Sequence, residues 1–243
     1  MDSPAVSSLV IIIREELNAR ADPALVKKYA RYFVEGYDAY GVDLKAMHPV
    51  REKWIQDYRT SLGLEGFLRI GDQLVKSGKY EEGFIAMGLV SHFAEDFTPQ
   101  IFEHLGQWLE NGLCNWAHVD SFSSDILPIF LKQHIVPLSA FSSWRKSESK
   151  WKRRAVPVTL IKLLKNGQSI PELLAFIEPM MADKEKVVHQ GLGWFLREAW
   201  KISPEPVEEF LLKWKDRCAR LIIQYATEKM TGERKLAFKK STN

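Results

Sequence analysis

The sequence predicts an all-α protein, an α-α superhelix in which short helix pairs stack into a solenoid. Residues that start and stop helices recur along the whole chain, and the apolar residues between them return at helical spacing. No stretch reads as a run of alternating strands. We expect the helices to be mostly about 12 to 20 residues long and to be joined by tight turns.

Capping residues mark the predicted helix starts, and glycines mark the predicted stops. A Ser, Thr or Asp side chain caps the free N–H groups of a first turn, and a following proline fits that turn. Such pairs are Asp22–Pro23, Thr98–Pro99 and Ser203–Pro204, and Ser169 with Glu172 has the capping-box spacing. A left-handed cap is easiest for glycine, and the predicted stops are Gly41, Gly63, Gly78, Gly112 and Gly167.

A weak repeat relates the predicted helices to one another. Four residues occupy similar points of four helices at separations of 36, 35 and 36 residues, namely Tyr80, Trp116, Trp151 and Val187. This spacing suits a helix–turn–helix unit, which buries its apolar face only by stacking on the next unit. We therefore expect a single repeat domain over residues 1–243. Its short basic C-terminal tail, with Lys235, Lys239 and Lys240, is expected to be frayed.

Composition narrows the classes of protein that fit. The net charge of +3 decides little by itself, and the cysteines Cys114 and Cys218 form no CxxC pair, which fits a reducing compartment. The N-terminus lacks the basic region of a secretory signal, and the apolar run before Arg14 is too short for a membrane span. The six histidines lack metal-ligand spacing, and no nucleotide-binding glycine motif occurs. We predict a cytoplasmic monomer, nucleoid-associated if bacterial, without metal, cofactor or membrane contact.

Charge is segregated along the chain. Between Tyr80 and Leu131 there are eight acids and no Lys or Arg. Between Trp144 and Lys165 there is one acid, Glu148, and eight basic residues: Arg145, Lys146, Lys150, Lys152, Arg153, Arg154, Lys162 and Lys165. Such segregation can mark a surface that contacts phosphates. A solvated helix face is the simpler alternative.

The helix predicted near 184–200 carries two large side chains away from its apolar stripe. The stripe consists of Val188, Leu192, Phe195 and Ala199. At about 100° per residue, Trp194 lies roughly 120° from the stripe and Arg197 lies nearly opposite it. A tryptophan in that position either packs under a neighbouring helix or contacts a ligand.

Two further residues stand beside predicted apolar stripes. Trp116 and Asp120 share one flank of the stripe formed by Val119, Phe122, Ile126 and Phe130, and a carboxylate beside an indole is partly shielded from water. The simpler alternative is an exposed Asp in a first helical turn. Arg154 points away from the apolar residues of its own segment, as an ordinary surface arginine does, and Pro157 predicts a kink or a late helix start there. His118 is expected to be a surface or packing histidine rather than a base.

Three blocks, in order and with matching spacing, resemble those of the AlkD-type DNA alkylation repair enzymes, which are glycosylases built of HEAT-like helical repeats. Residues 191–198, Gly-Leu-Gly-Trp-Phe-Leu-Arg-Glu, are similar to the family's G-W-x-L-R-E block. Residues 115–121 are similar to W-x-x-V-D-S, and residues 151–155 to W-x-x-R-A. Residues 30–33 followed by 40–42 fit the N-terminal part. The resemblance covers nearly the whole chain and implies a HEAT-like fold.

The resemblance also implies roles for individual residues. Asp120 corresponds to the carboxylate at the lesion, and Trp116 and Trp194 correspond to two aromatic residues flanking it. The predicted DNA-binding residues are Arg154, Arg197, Arg153, Lys152 and Tyr32. This chain departs from the family pattern at Lys186 and Val187, where we expect phenylalanines, and at Pro157.

The chemistry of these residue types agrees with the resemblance. A purine alkylated at N3 or N7 is already cationic and leaves without a general acid, so a carboxylate has only to stabilise the oxocarbenium-like sugar. Indole faces attract the cationic nucleotide. The sequence therefore predicts a monofunctional glycosylase that excises such purines from double-stranded DNA. A non-catalytic binder of DNA structures and a protein–protein scaffold on the same repeats remain the alternatives.

Overall fold

The computed structural model describes residues 3–164 and 167–240, which form helices and contain no strand. This confirms the all-α prediction. Lys165, at the end of the basic run, and residues 241–243 lie outside the described ranges. The chain forms two compact units, Met1–His118 and Val119–Asn243. The single repeat domain over residues 1–243 stays a prediction.

The first unit is organised around a long central helix. Its elements are α1 (Pro4–Ala19), α2 (Pro23–Ala30), α3 (Leu44–Lys76), α4 (Tyr80–Ser91) and α5 (Pro99–Asn111). Helix α3 packs against α1, α4 and α5. Gly63 interrupts α3 with φ of 55° and ψ of −172°, so this element consists of two helical halves joined at a kink. The stop predicted at Gly63 is therefore a bend inside a longer element, in a conformation that favours glycine.

The second unit is built around α10, which packs against α8, α11 and α12. Helix α6 (Trp116–Asp125) begins in the first unit and continues into the second, where it is followed by the other elements. These are α7 (Leu127–Lys132), α8 (Lys150–Ile161), α9 (Ile170–Ile177), α10 (Lys186–Trp200), α11 (Pro204–Trp214), α12 (Arg220–Ala226) and α13 (Gly232–Leu236). None of the described helices is long and apolar enough to cross a membrane.

The predicted helix starts are largely confirmed. The side chains of Asp22, Thr98 and Ser169 accept hydrogen bonds from the first turns of α2, α5 and α9. Ser203 stands at the start of α11, but its side chain makes no capping bond. The four residues of the weak repeat occupy the first or second position of α4, α6, α8 and α10. The period thus marks the start of every second helix.

Gly112 ends its helix for a different reason from the one predicted. Its φ of 168° is extended rather than left-handed. A Cβ at this position would lie 1.9 Å from the carbonyl oxygen of Val75. Glycine is needed here because two backbones approach closely, which no local pattern reports. Gly78 and Gly167 are left-handed, as predicted. Gly41 is also left-handed but ends no helix, because it lies well after the end of α2 at Ala30 and before α3 begins.

The predicted helix length and the frayed tail are wrong. Several helices have only five to eight residues, and the run from Val119 to Phe130 is divided between α6 and α7. The helix breaks before Pro128 because proline lacks an N–H and its ring crowds the preceding turn. The apolar stripe therefore runs across two helices instead of along one. The tail forms α13 and is packed against the protein as far as Phe238. Phe238 is buried, and its carbonyl accepts a hydrogen bond from Arg220.

Candidate functional site

Asp120 and Arg154 form a two-pronged ion pair between α6 and α8. The Nε and Nη2 atoms of Arg154 each donate to one carboxylate oxygen of Asp120 at 2.8 Å. The Asp120 side chain keeps 18% of its exposure, whereas that of Arg154 keeps 7%. The arginine fork matches both carboxylate oxygens, so it fixes the plane of the carboxylate as well as its position. The result is an immobilised and partly dehydrated carboxylate that still reaches solvent.

The expectation that Arg154 is an exposed surface residue is wrong. Arg154 is only 5% exposed, although it does lie off the buried stripe of Val156 and Leu160. Its remaining Nη1 donates to the backbone carbonyl of Val187 at 2.6 Å. Helix α10 packs against α8 and supplies this carbonyl, so the apparent outer face of α8 is covered. The departure from the family pattern at Val187 does not alter this contact, because the backbone makes it.

Arg153 makes a closely similar pair with a different aspartate. Its Nε donates to Asp183 at 2.7 Å, and its Nη1 donates to the carbonyl of Ser147 at 2.6 Å. Asp183 also accepts from the backbone N–H of Glu185, just before α10 begins. Neighbouring arginines of the basic run are thus satisfied within the fold. The role of Arg153 in DNA binding stays a prediction, and its observed contacts fasten the start of α10.

Two more predicted DNA-binding residues have partners within the protein. Arg197 pairs with Glu198 at 3.1 Å and with Glu228. Hydrogen bonds from Lys229 and Arg197 lower the pKa of Glu228, which keeps this carboxylate charged beside the arginine. The ammonium of Lys152 lies 5.1 Å from the ring centroid of Trp144. Arg197 and Lys152 therefore contribute less free positive charge to a DNA-binding surface than their number indicates.

Trp194 lies on the half-buried side of α10. The predicted stripe of Val188, Leu192, Phe195 and Ala199 is completely buried, so the helical phase inferred from the sequence is confirmed. Within the described residues, the Trp194 indole has neither a hydrogen bond nor a ring contact. An indole with a half-exposed face and no partner is available to a ligand.

Trp116 and Tyr32 are brought together in the first unit. Trp116 is 43% exposed and donates its indole N–H to the backbone carbonyl of Tyr32 at 3.1 Å. Its ring stacks on Phe33, with centroids 5.5 Å apart and planes at 15°. Phe33 also stacks on Tyr37 at 4.5 Å and meets the edge of Tyr80 at 5.6 Å. The sequence did not indicate this aromatic cluster, because its members are far apart along the chain.

His118 packs inside the first unit and is completely buried, which decides between the surface and packing positions that the sequence left open. Its Nδ1 accepts from the side-chain amide of Asn115 at 2.8 Å, and its Nε2 lies 2.7 Å from the carbonyl of Tyr80. These partners require a neutral ring with the proton on Nε2. Burial lowers the pKa of His118 to about 4, against the opposing effect of the Tyr80 carbonyl. A ring held neutral with both nitrogens engaged has no free position for proton transfer.

Two glutamates at the start of α4, Glu81 and Glu82, are buried, which no sequence pattern indicates. Glu81 accepts the backbone N–H groups of Tyr40, Gly41 and Val42 at 2.8–3.0 Å. Glu82 accepts from Arg14 and from the Tyr40 hydroxyl at 2.6 Å. Dehydration and the hydrogen bond to Glu82 raise the pKa of Tyr40. In the sequence these glutamates read as ordinary acids of a first helical turn, and only the fold shows that they fasten the segment before α3.

The chain is similar to known DNA alkylation repair enzymes both in its fold and in its sequence. The fold is similar to that of a solved structure described as a predicted DNA alkylation repair enzyme from Enterococcus faecalis, with a TM-score of 0.73 and 15% identity. The match covers 88% of this chain and 98% of that one. The family model for DNA alkylation repair enzymes matches residues 13–230, so the chain belongs to this family. No curated protein sequence matches significantly.

Family membership assigns the protein a role in the repair of alkylated DNA, with DNA as its substrate. The described residues contain no group of three or more His, Cys, Asp or Glu side chains placed to hold a metal ion.

Proposed function

We propose that the protein is a monofunctional DNA glycosylase that hydrolyses the N-glycosidic bond of cationic N3- and N7-alkylpurines in duplex DNA. The observation that carries this proposal is the Asp120 carboxylate. Both of its oxygens accept hydrogen bonds of 2.8 Å from Arg154, and the Asp120 side chain is still 18% exposed. Catalysis by charge stabilisation requires a group that is already in place and needs no reorganisation when charge develops. The paired carboxylate meets that requirement.

In the proposed reaction, bonding electrons leave with the alkylated purine, which is neutralised as it departs. Positive charge then develops on the deoxyribose, and the Asp120 carboxylate stabilises it. Water adds to the anomeric carbon and loses a proton to solvent, which leaves an abasic site and a free base. Because the purine is cationic beforehand, no residue has to protonate it, and the neutral, fully engaged His118 is consistent with that.

Arg154 is assigned a positioning role in place of the phosphate contact predicted from the sequence. Arg154 is 5% exposed, and all three of its described hydrogen bonds go to Asp120 and Val187. Trp116 in the first unit and Trp194 in the second each offer a partly exposed indole face. We propose that each of these tryptophans contacts the cationic nucleotide by cation–π attraction, worth about 0.5–2 kcal/mol.

The test is release of free base from a duplex carrying one 7-methylguanine, with wild type compared with Asp120→Asn. The fold offers a matched control in Asp183→Asn, since Asp183 is also held by an arginine fork and is at least as well buried. We expect Asp120→Asn to lower the release rate by at least about a hundredfold, as loss of one preorganised group does. Asp183→Asn should retain the rate once its folded fraction is taken into account.

Duplex binding by each variant is measured in parallel by fluorescence anisotropy. Release at the wild-type rate by Asp120→Asn contradicts the catalytic assignment. If the wild type binds duplex DNA but releases no base, the protein is a non-catalytic DNA binder. If the wild type shows no salt-dependent affinity for DNA, the result favours the remaining alternative, a protein–protein scaffold.

A further inference from the structure

Helix α2 and the turn after it are exposed to an unusual degree. No residue of α2 is buried, and every residue from 27 to 36 is exposed apart from the half-buried Phe33. Val34 is 99% exposed, and its neighbour Tyr32 is 52% exposed. A solitary exposed apolar residue is ordinary, but a contiguous exposed segment rich in aromatics is typical of an interaction surface.

The same segment is basic. Residues 27–36 contain three cations, Lys27, Lys28 and Arg31, and one acid, Glu35. None of these cations has an ion-pair partner within the described residues. Arg31 and Lys28 instead lie over neighbouring tyrosine rings, at 4.8 and 5.3 Å. This contrasts with the more basic run after Trp144, where Arg145, Arg153 and Arg154 are engaged within the protein.

Val34 stands at the tip of a tight turn. The N–H of Gly36 donates to the carbonyl of Phe33 at 3.2 Å, which places Val34 and Glu35 at the two central positions. Gly36 has φ of 111°, a conformation that favours glycine. Polar residues are usual at such positions. Val34 is almost completely exposed, so burial of its side chain does not stabilise the first unit.

The turn is braced at its base. Phe33 is stacked between Tyr37 and Trp116, and the carbonyl of Tyr32 accepts the Trp116 indole N–H. Further along, Lys79 pairs with Asp38 at 2.6 Å. A tip that is already ordered loses little conformational entropy when it contacts a partner. An ordered apolar tip beside cations that have no ion-pair partner within the described residues has the chemistry of proteins that insert a side chain at a base step while binding phosphates.

We propose that residues 27–34 form a second DNA-contacting surface, in which Lys27, Lys28 and Arg31 bind phosphates and Val34 inserts against an unstacked base of the duplex. This inference rests on the proposed function, because it takes damaged duplex DNA as the partner. The inserted valine would favour duplexes whose stacking a lesion has already weakened, because unstacking a base step costs a few kcal/mol in intact DNA.

The phosphate contacts are tested with a labelled duplex carrying one tetrahydrofuran abasic site, with affinity measured over a range of salt concentrations. Each lost phosphate contact should reduce the slope of log K against log salt by about 0.9, so Lys27→Ala/Lys28→Ala is expected to reduce it by about 1.8. The matched control is Lys45→Ala/Lys53→Ala, two exposed lysines of α3, which should leave the slope unchanged. Equal slopes for wild type and Lys27→Ala/Lys28→Ala overturn the phosphate contacts.

Insertion is tested with 2-aminopurine placed beside the abasic site, whose fluorescence rises when it unstacks. We expect wild type to raise this fluorescence, Val34→Ser to abolish the rise, and Glu35→Gln to keep it while tightening binding. An equal rise with Val34→Ser overturns the insertion. Because the probe carries no removable base, these results do not depend on catalysis by Asp120. Failure of the proposed glycosylase activity would instead appear as absent base release with both binding signatures intact.

Discussion

Removing the Arg154 guanidinium tests whether the fold positions Asp120 through this residue. Arg154→Met deletes two hydrogen bonds of 2.8 Å to the carboxylate and one of 2.6 Å to the Val187 carbonyl. Breaking a buried pair by removing one partner typically costs about 3–5 kcal/mol. Asp120 keeps some hydration, which places the expected loss of unfolding free energy near the lower end, at about 3 kcal/mol.

A double-mutant cycle isolates the pair from the other effects of the substitution. Asp120→Asn leaves the arginine charge buried without its counter-ion, so it should also destabilise the protein. The double variant should lose less than the sum of the two, with a coupling of about 1–3 kcal/mol. Urea unfolding followed by circular dichroism measures all four proteins. Additive losses, or a loss below about 1 kcal/mol for Arg154→Met, would refute the positioning argument.

The same variant separates positioning from phosphate binding. A phosphate contact by Arg154 would appear as a salt slope reduced by about 0.9 in Arg154→Met. We expect an unchanged slope together with slower base release, because the guanidinium is turned into the protein. Arg154→Lys should be intermediate in release, since an ammonium keeps the charge but cannot hold both carboxylate oxygens in one plane.

Two further predictions concern stability. Burial lowers the pKa of His118 to about 4, whereas the unfolded chain has the ordinary value of about 6.5. Below about pH 6.5, unfolding therefore takes up a proton at His118. The contribution of neutral His118 to the free energy of unfolding is full above about pH 6.5 and is lost as the pH falls towards 4. A fall from about pH 7 to about pH 5 should therefore cost about 2 kcal/mol, and this dependence should flatten in His118→Gln; an unchanged pH profile in the variant would contradict the assignment. Gly193→Ala should destabilise the protein by about 1–3 kcal/mol, because the new Cβ would lie 2.4 Å from the Tyr225 Cβ and 2.9 Å from the Ile222 carbonyl. Gly191→Ala, whose Cβ would meet nothing closer than 3.4 Å, is the matched control, and equal thermal stability of the two variants would show that α10 and α12 do not pack so tightly.

The aromatic cluster around Phe33 illustrates what a linear pattern misses. The family resemblance places Tyr32 among the DNA-binding residues and Trp116 beside the lesion, yet no local pattern indicates that Trp116 donates a hydrogen bond to Tyr32. The two residues are separated by 84 positions, and their contact depends on where α2 and α6 lie. The exposed cations beside them, Lys27, Lys28 and Arg31, also give no strong sequence signal, because the run between Trp144 and Lys165 is longer and more basic.

The sequence by itself determined the features that depend on neighbours along the chain. Capping by Asp22 and Thr98, left-handed glycines at helix ends and the buried stripe of α10 all follow from bonds and angles within a few residues. The tertiary structure alone decided which charges face solvent. Arg154 reads as a surface residue on its own helix and becomes buried because Asp120 and the Val187 carbonyl arrive from 34 and 33 residues away. A charge is buried only where a partner offsets its dehydration, and that partner is supplied by the packing of another helix.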